Sequence, residues 1–159
     1  MEQNNIIKNT VDSALSGMKL RYQNKGRLFE LIIQNDNAAF RFKIVADDEN
    51  DLLVVVGFFP VFIPKSSLEC MYKYVNELNY KTVAGKFVIN PDDGELTFRL
   101  ATNVDGGAIN EELVHVCLFM ASTTLTSSFE DIMKAMFGGP QMVFTFGEKE
   151  EPDDQGETD

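Results

Sequence analysis

His115 is the one histidine among the 159 residues, and it sits in the apolar run Leu113-Val114-His115-Val116-Cys117-Leu118-Phe119-Met120. One imidazole excludes multi-histidine metal sites and leaves any Ser-His or Cys-His mechanism to that side chain alone. Cys117 lies two residues on, and two residues turn a helix by about 200°, so the pair forms no local dyad. A buried or flanking histidine with one hydrogen bond is the reading that fits. Cys70 and Cys117 form no CxxC, and both fall in helix-patterned runs. That suits small buried thiols in a reducing compartment.

Other chemistry finds no support either. The chain has no glycine-rich phosphate loop, HExxH or GxSxG. Gly106-Gly107 precede a helix start where an anion could be cradled, but Asp105 and Glu111-Glu112 would repel a phosphate. Those acids suit the helix dipole instead. Asp47-Asp48 and Asp92-Asp93 fall in loops, where solvated charge is the default, and the second pair lacks the ligand spacing of a calcium loop. The sequence therefore predicts no catalytic residue, no metal and no cofactor, and a chain that is not an enzyme.

Charge is unevenly spread. Of the net −11, the segment Glu148–Asp159 (EKEEPDDQGETD) holds −6, with seven acids, one lysine and no apolar residue. Such a segment cannot bury enough surface to offset its ordering entropy and is expected to be disordered. The chain divides into one domain, residues 1–140, and an extension, residues 141–159, that is acidic and disordered from about 148. No basic stripe favours nucleic acid. No run approaches the roughly 18 apolar residues of a membrane span, and residues 1–20 show no signal-like pattern. A cytoplasmic protein is expected.

The elements that would carry any site follow from periodicity. Ile7, Val11, Ala14 and Met18 place one apolar stripe on a first helix at about residues 4–18. Arg27–Gln34, Ala38–Ala46 and Asp51–Ile63 are β-branched and aromatic runs that read as a three-stranded meander, with Asn24-Lys25-Gly26 as a turn before it. Pro64 ends the third strand, and Ser66 with Glu69 has the spacing of a capping box opening a second helix. Gly85–Asn90 and Glu95–Ala101 form a hairpin across Pro91-Asp92-Asp93-Gly94. A third helix runs from about Asn110 to Phe137 and stops at Gly138-Gly139-Pro140. The fold class is α+β, a five-stranded antiparallel sheet with helices in the order α-β-β-β-α-β-β-α.

The middle of the chain resembles the YbjN-like family of bacterial sensory transduction regulators. The features that carry the likeness are the strand Val54 to Pro64, the helix end Val75-Asn76-Glu77-Leu78-Asn79, and the run from Gly85 through Asn90-Pro91-Asp92-Asp93-Gly94 to Arg99. They cover about Leu52 to Arg99. The resemblance implies a fold like that of the type III secretion chaperones and brings no catalytic residues with it. It also implies a small, acidic, partner-binding protein.

Several residues suggest binding. The strand through Val54, Val56 and Phe58 is bulky on both alternating faces, which predicts a central strand covered on both sides, by the domain's own helices on one and by another chain or the first helix on the other. On the third helix the stripe Val114-Leu118-Leu125-Phe129-Ile132-Met136 reads as core, whereas Phe119, Met120, Met133 and Phe137 lie off it and are the candidate partner or dimer surface. The helix is longer than a five-stranded sheet covers, so part of it should project or bend. If Phe40, Phe42 and Ile44 face the helices, Arg41, Lys43 and Arg99 form a basic patch on the open sheet face, with Glu30 as a cross-strand partner. The sequence thus favours a non-enzymatic, protein-binding regulatory or chaperone-like module, homodimeric, with a protein or peptide partner. The alternative is a small-ligand sensor with an apolar cavity between sheet and third helix, lined by Phe40, Phe58, Phe87 and Phe98.

Overall fold

The computed structural model describes residues 5–105 and 108–138. The acidic segment, Gly106-Gly107 and Gly139-Pro140 lie outside the described residues. The elements are α1 (Ile6–Gly17), β1 (Tyr22–Lys25), β2 (Leu28–Gln34), β3 (Ala39–Asp47), β4 (Leu52–Phe58), a 3-10 turn (Lys65–Ser67), α2 (Leu68–Lys81), β5 (Lys86–Ile89), β6 (Leu96–Asn103) and α3 (Glu111–Phe137). The strands form one antiparallel sheet in the order β1-β2-β3-β4-β6-β5.

The sheet has six strands, not five. Tyr22-Gln23-Asn24-Lys25 carries one large apolar side chain and so gives no alternating signal. It is a strand because it pairs with β2 from Tyr22↔Leu31 to Lys25↔Leu28 across a two-residue turn. Gly26 takes φ +80°, open to glycine at no steric cost, and its N–H is accepted by the Asn24 side chain. The Tyr22 hydroxyl donates to Asp12 of α1 at 2.8 Å, tying this edge strand to the helix layer.

Two boundaries also move. β4 ends at Phe58, ahead of Pro60 rather than at Pro64, because Pro60 has no N–H to continue the ladder. The Ser66–Glu69 capping box does not form: Ser67 occupies the N-cap of α2 without a side-chain cap. Its hydroxyl donates instead to the Met136 carbonyl at 2.8 Å and fastens the start of α2 to the end of α3.

Strand alternation sorts the core onto one side. Phe29, Phe40, Phe42, Ile44, Leu53, Val55 and Phe98 are fully buried beneath the helices. α1 packs on β3, α3 on β4 and β6, and α2 on β5, so all three helices share one face. The expected stripe of α3 is buried at Val114, Leu118, Leu125, Ile132 and Met136, while Phe129 stacks on Phe59 and meets Phe40 edge-on. α3 does not project free of the fold, because both of its ends are held. α1 holds its first turns through Ser13–Glu111, and α2 holds its last. At Gly57 there is no room for a side chain between helix and sheet: a Cβ there would lie 2.3 Å from Leu125 Cδ1 and 2.8 Å from Phe42 Cε1. The free edge at β5 is closed by Asn79, whose amide accepts from Phe87 N at 2.7 Å and donates to Phe87 O at 2.9 Å.

Asp48, expected to be solvated loop charge, is a tertiary cap. Asn5 makes no side-chain cap for α1, and the Asp48 carboxylate accepts from Ile7 N at 2.7 Å and Lys8 N at 3.3 Å. We predict that Asp48→Ala costs about 1 kcal/mol, the usual worth of an N-cap, and Asp48→Asn less. Urea unfolding measures both; an unchanged midpoint in the alanine variant would show that α1 is held by packing alone.

Candidate partner-binding face

With every helix on one side, the opposite face of the sheet has no helix over it among the described residues. Its side chains form three rows across the strands. One runs Ile32–Arg41–Phe58–Thr97–Val88, the next Glu30–Lys43–Val56–Arg99–Lys86, and the third Leu28–Val45–Val54–Ala101. The helices thus supply one cover of the central strand, and α1 lies with them rather than on the other side. Leu53 and Val55 are buried, but Val54, Val56 and Phe58 are only half-buried on the other side.

The sequence placed Arg41, Lys43 and Arg99 together, and the structure does so, adding Lys86. The Arg41 guanidinium carbon lies 4.1 Å from the Phe58 ring centroid and Lys43 Nζ lies 5.5 Å from it, so two cations share one aromatic face. Arg41 pairs with Glu95 at 3.5 Å and Lys43 with Glu30 at 3.6 Å. The hydrogen bond from Lys25, with the charges of Lys25 and Lys43, holds the Glu30 carboxyl below the usual carboxylate range. Arg99 bonds Thr97 Oγ1 at 3.3 Å and has no carboxylate partner among the described residues. Four cations against Glu30 and Glu95 leave this face basic on an acidic body. A depression of about 470 Å³ opens beside Ile32, Glu30 and Arg41, and one of about 260 Å³ beside Val88, Glu95 and Arg99.

The four phenylalanines expected to line a cavity do not share a wall. Phe40, Phe87 and Phe98 are buried under the helices, whereas Phe58 lies on the open face. The signal was available: Gly57 pairs with Phe42 and Phe98, so its neighbour must point the other way. Beneath α3 the space is taken by Leu125 and Phe42.

On α3 the candidate surface splits. Phe119 is 72% exposed and Met120 38%, with Val116, missed by the sequence reading, beside them. Met133 is half-buried against the core. Phe137 is exposed but five turns from Phe119, about 27 Å along the helix, and belongs to no common patch. His115 is half-buried with Nε2 3.4 Å from the Ala14 carbonyl of α1, and Cys117 is buried with Sγ 3.7 Å from Thr102 Oγ1. Cys70, expected in the core, is exposed, since the apolar face of α2 turns Met71, Tyr74 and Val75 inward. Among the described residues no three His, Cys, Asp or Glu side chains gather as metal ligands, and no helix is long and apolar enough to cross a membrane.

A family model described as "YbjN: Putative bacterial sensory transduction regulator" matches residues 8–151. A comparison with curated proteins finds no match. Among solved structures, the crystal structure of YbjN, "a putative transcription regulator from E. coli", is similar with a TM-score of 0.62 at 12% identity, covering 79% of this chain and 90% of that one. A chain of the HopA1-SchA chaperone-effector complex is similar with a TM-score of 0.51 at 12% identity, covering 82% and 96%. At that identity the likeness is one of fold.

The two sides of the sheet separate core from surface phenylalanines. We predict that Phe40→Ala costs about 3–5 kcal/mol, and Phe58→Ala, with its ring half in water, less than half of that. Chemical denaturation of the two variants tests this; equal losses would place Phe58 in the core.

Proposed function

The chain belongs to the YbjN family, and on that premise we propose that it is a non-enzymatic, protein-binding regulatory or chaperone-like module of the cytoplasm. The observation that carries this reading is the open sheet face. Val54, Val56, Phe58 and the 66% exposed Ile32 make an apolar strip framed by Arg41, Lys43, Lys86 and Arg99, with no helix over it among the described residues. An apolar centre with arginine and aromatic groups is the composition of a protein-binding patch. The similar chain in a chaperone-effector complex is a precedent for a protein partner. His115 faces the backbone of α1, a setting for a structural histidine rather than a general base. The two free thiols, one of them exposed, suit a reducing compartment.

Native mass spectrometry of the protein purified from its own host tests the reading. A retained polypeptide, falling at least about tenfold in Phe58→Ala, is expected, the loss of an aromatic anchor being worth about 2 kcal/mol or more. A retained small molecule, or a polypeptide held equally by the variant, would overturn it.

The second part of the proposal is a two-fold homodimer through α3. α1 flanks this helix yet leaves Val116, Phe119 and Met120 exposed, and an isologous contact is the commonest way to cover such a strip. Burying each side chain is worth about 1.5–3 kcal/mol. Light scattering after size exclusion should show a dimeric wild type and a folded, monomeric Phe119→Glu. A monomeric wild type at high concentration would refute the dimer.

A further inference from the structure

We propose that the acidic segment Glu148–Asp159 docks on the basic open sheet face of its own chain and there competes with the partner. The docking stands on charge and reach; only its regulatory consequence rests on the proposed function.

Charge comes first. The segment carries seven carboxylates and one lysine. Arg41, Lys43, Lys86 and Arg99 occupy adjoining places in two rows of the open face, opposed there by Glu30 and Glu95. On a chain of net charge −11 this is a basic surface a like-charged segment is not driven from. Arg99 and Lys86, both exposed and without a carboxylate among the described residues, are the cations most available to it.

The place where the helix ends comes second. The Met136 carbonyl is bonded to Ser67, and Phe129 stacks on Phe59, the residue that follows β4. α3 thus finishes at the end of the sheet where Phe58 leaves β4 and Leu96 begins β6, and the row Arg41–Phe58–Thr97 is the last row of β4 on the other side. From Gly138 to Glu148 ten residues span at most about 33–36 Å. That reach exceeds the roughly 10 Å that separates packed layers. The segment can pass round the sheet end without displacing an element, and so short a tether gives an effective concentration in the millimolar range. Exposed ion pairs are weak singly and screened by salt, so such docking is reversible and displaceable.

The test uses the full chain. Amide spectra of the native protein are compared with those of a variant in which the seven acids are neutralised: Glu148→Gln, Glu150→Gln, Glu151→Gln, Asp153→Asn, Asp154→Asn, Glu157→Gln and Asp159→Asn. Docking predicts shift differences at Arg41, Lys43, Val56, Lys86 and Arg99 that survive dilution. They should fade near 1 M salt, where the Debye length is about 3 Å, and Arg99→Gln in the native chain should reduce them. Differences confined to the segment would overturn the proposal, as would open-face differences that vanish on dilution, the mark of a second copy. Because this readout needs no partner, it can fail while partner retention stands, or hold while retention fails. Where both hold, the neutralised variant should retain the partner several-fold more tightly; equal retention would remove the competition.

Discussion

The contact between α3 and the last residues of β4 organises the molecule. Gly57 offers no side chain, and Leu125 of α3 and Phe42 of β3 close over it. A methyl group there would force Leu125 or Phe42 out of place, in a core where one extra methylene is felt. With α3 seated, the flanks are determined. α1 lies against its first half, α2 against its last turn, and the whole helix layer is confined to one side of the sheet.

The bare face follows from that arrangement. A two-layer α+β domain buries one side of an antiparallel sheet and leaves the other to solvent, and such a side ordinarily alternates to polar residues. β4 does not: Val54, Val56 and Phe58 face outward in the middle of the sheet. Long side chains from neighbouring strands partly cover them, with Arg41 and Lys43 lying over the Phe58 ring. Alkyl stems that shield apolar surface while their charges stay in water can be moved aside at little cost. The face thus keeps its apolar strip shielded by groups that are themselves free to move.

Much of this was legible where a local period controlled the outcome. The β3 alternation Phe40-Phe42-Ile44 against Arg41-Lys43, the stripe of α3 and the ends of that helix read directly from spacing. What escaped depended on distant partners. β1 is a strand only through its pairing with β2 and the Tyr22–Asp12 bond. Asp48 caps a helix some forty residues away, and Ser67 gives its hydroxyl to the far end of α3 rather than to its own helix. The bulky face of β4 looked like core because hydrophobicity reports a wish for burial without naming the cover. Placing Phe58 with Phe40, Phe87 and Phe98 ignored the alternation that Gly57 fixes.

The two apolar surfaces lie on opposite sides of the molecule, and that bears on how it can work. Val116, Phe119 and Met120 point away from the sheet at the outer side of the helix layer, while Val54, Val56 and Phe58 point away from the helices. A two-fold contact through α3 would stack helix layer on helix layer and leave both sheet faces outward, one on each side. Neither surface need then be given up for the other. Each α3 ends at its own sheet rim, so the proposed docking would follow a shorter path within one subunit than between two. The proposed self-association and partner binding would thereby be separable by geometry, and charge at the sheet rim would bear on the second without disturbing the first.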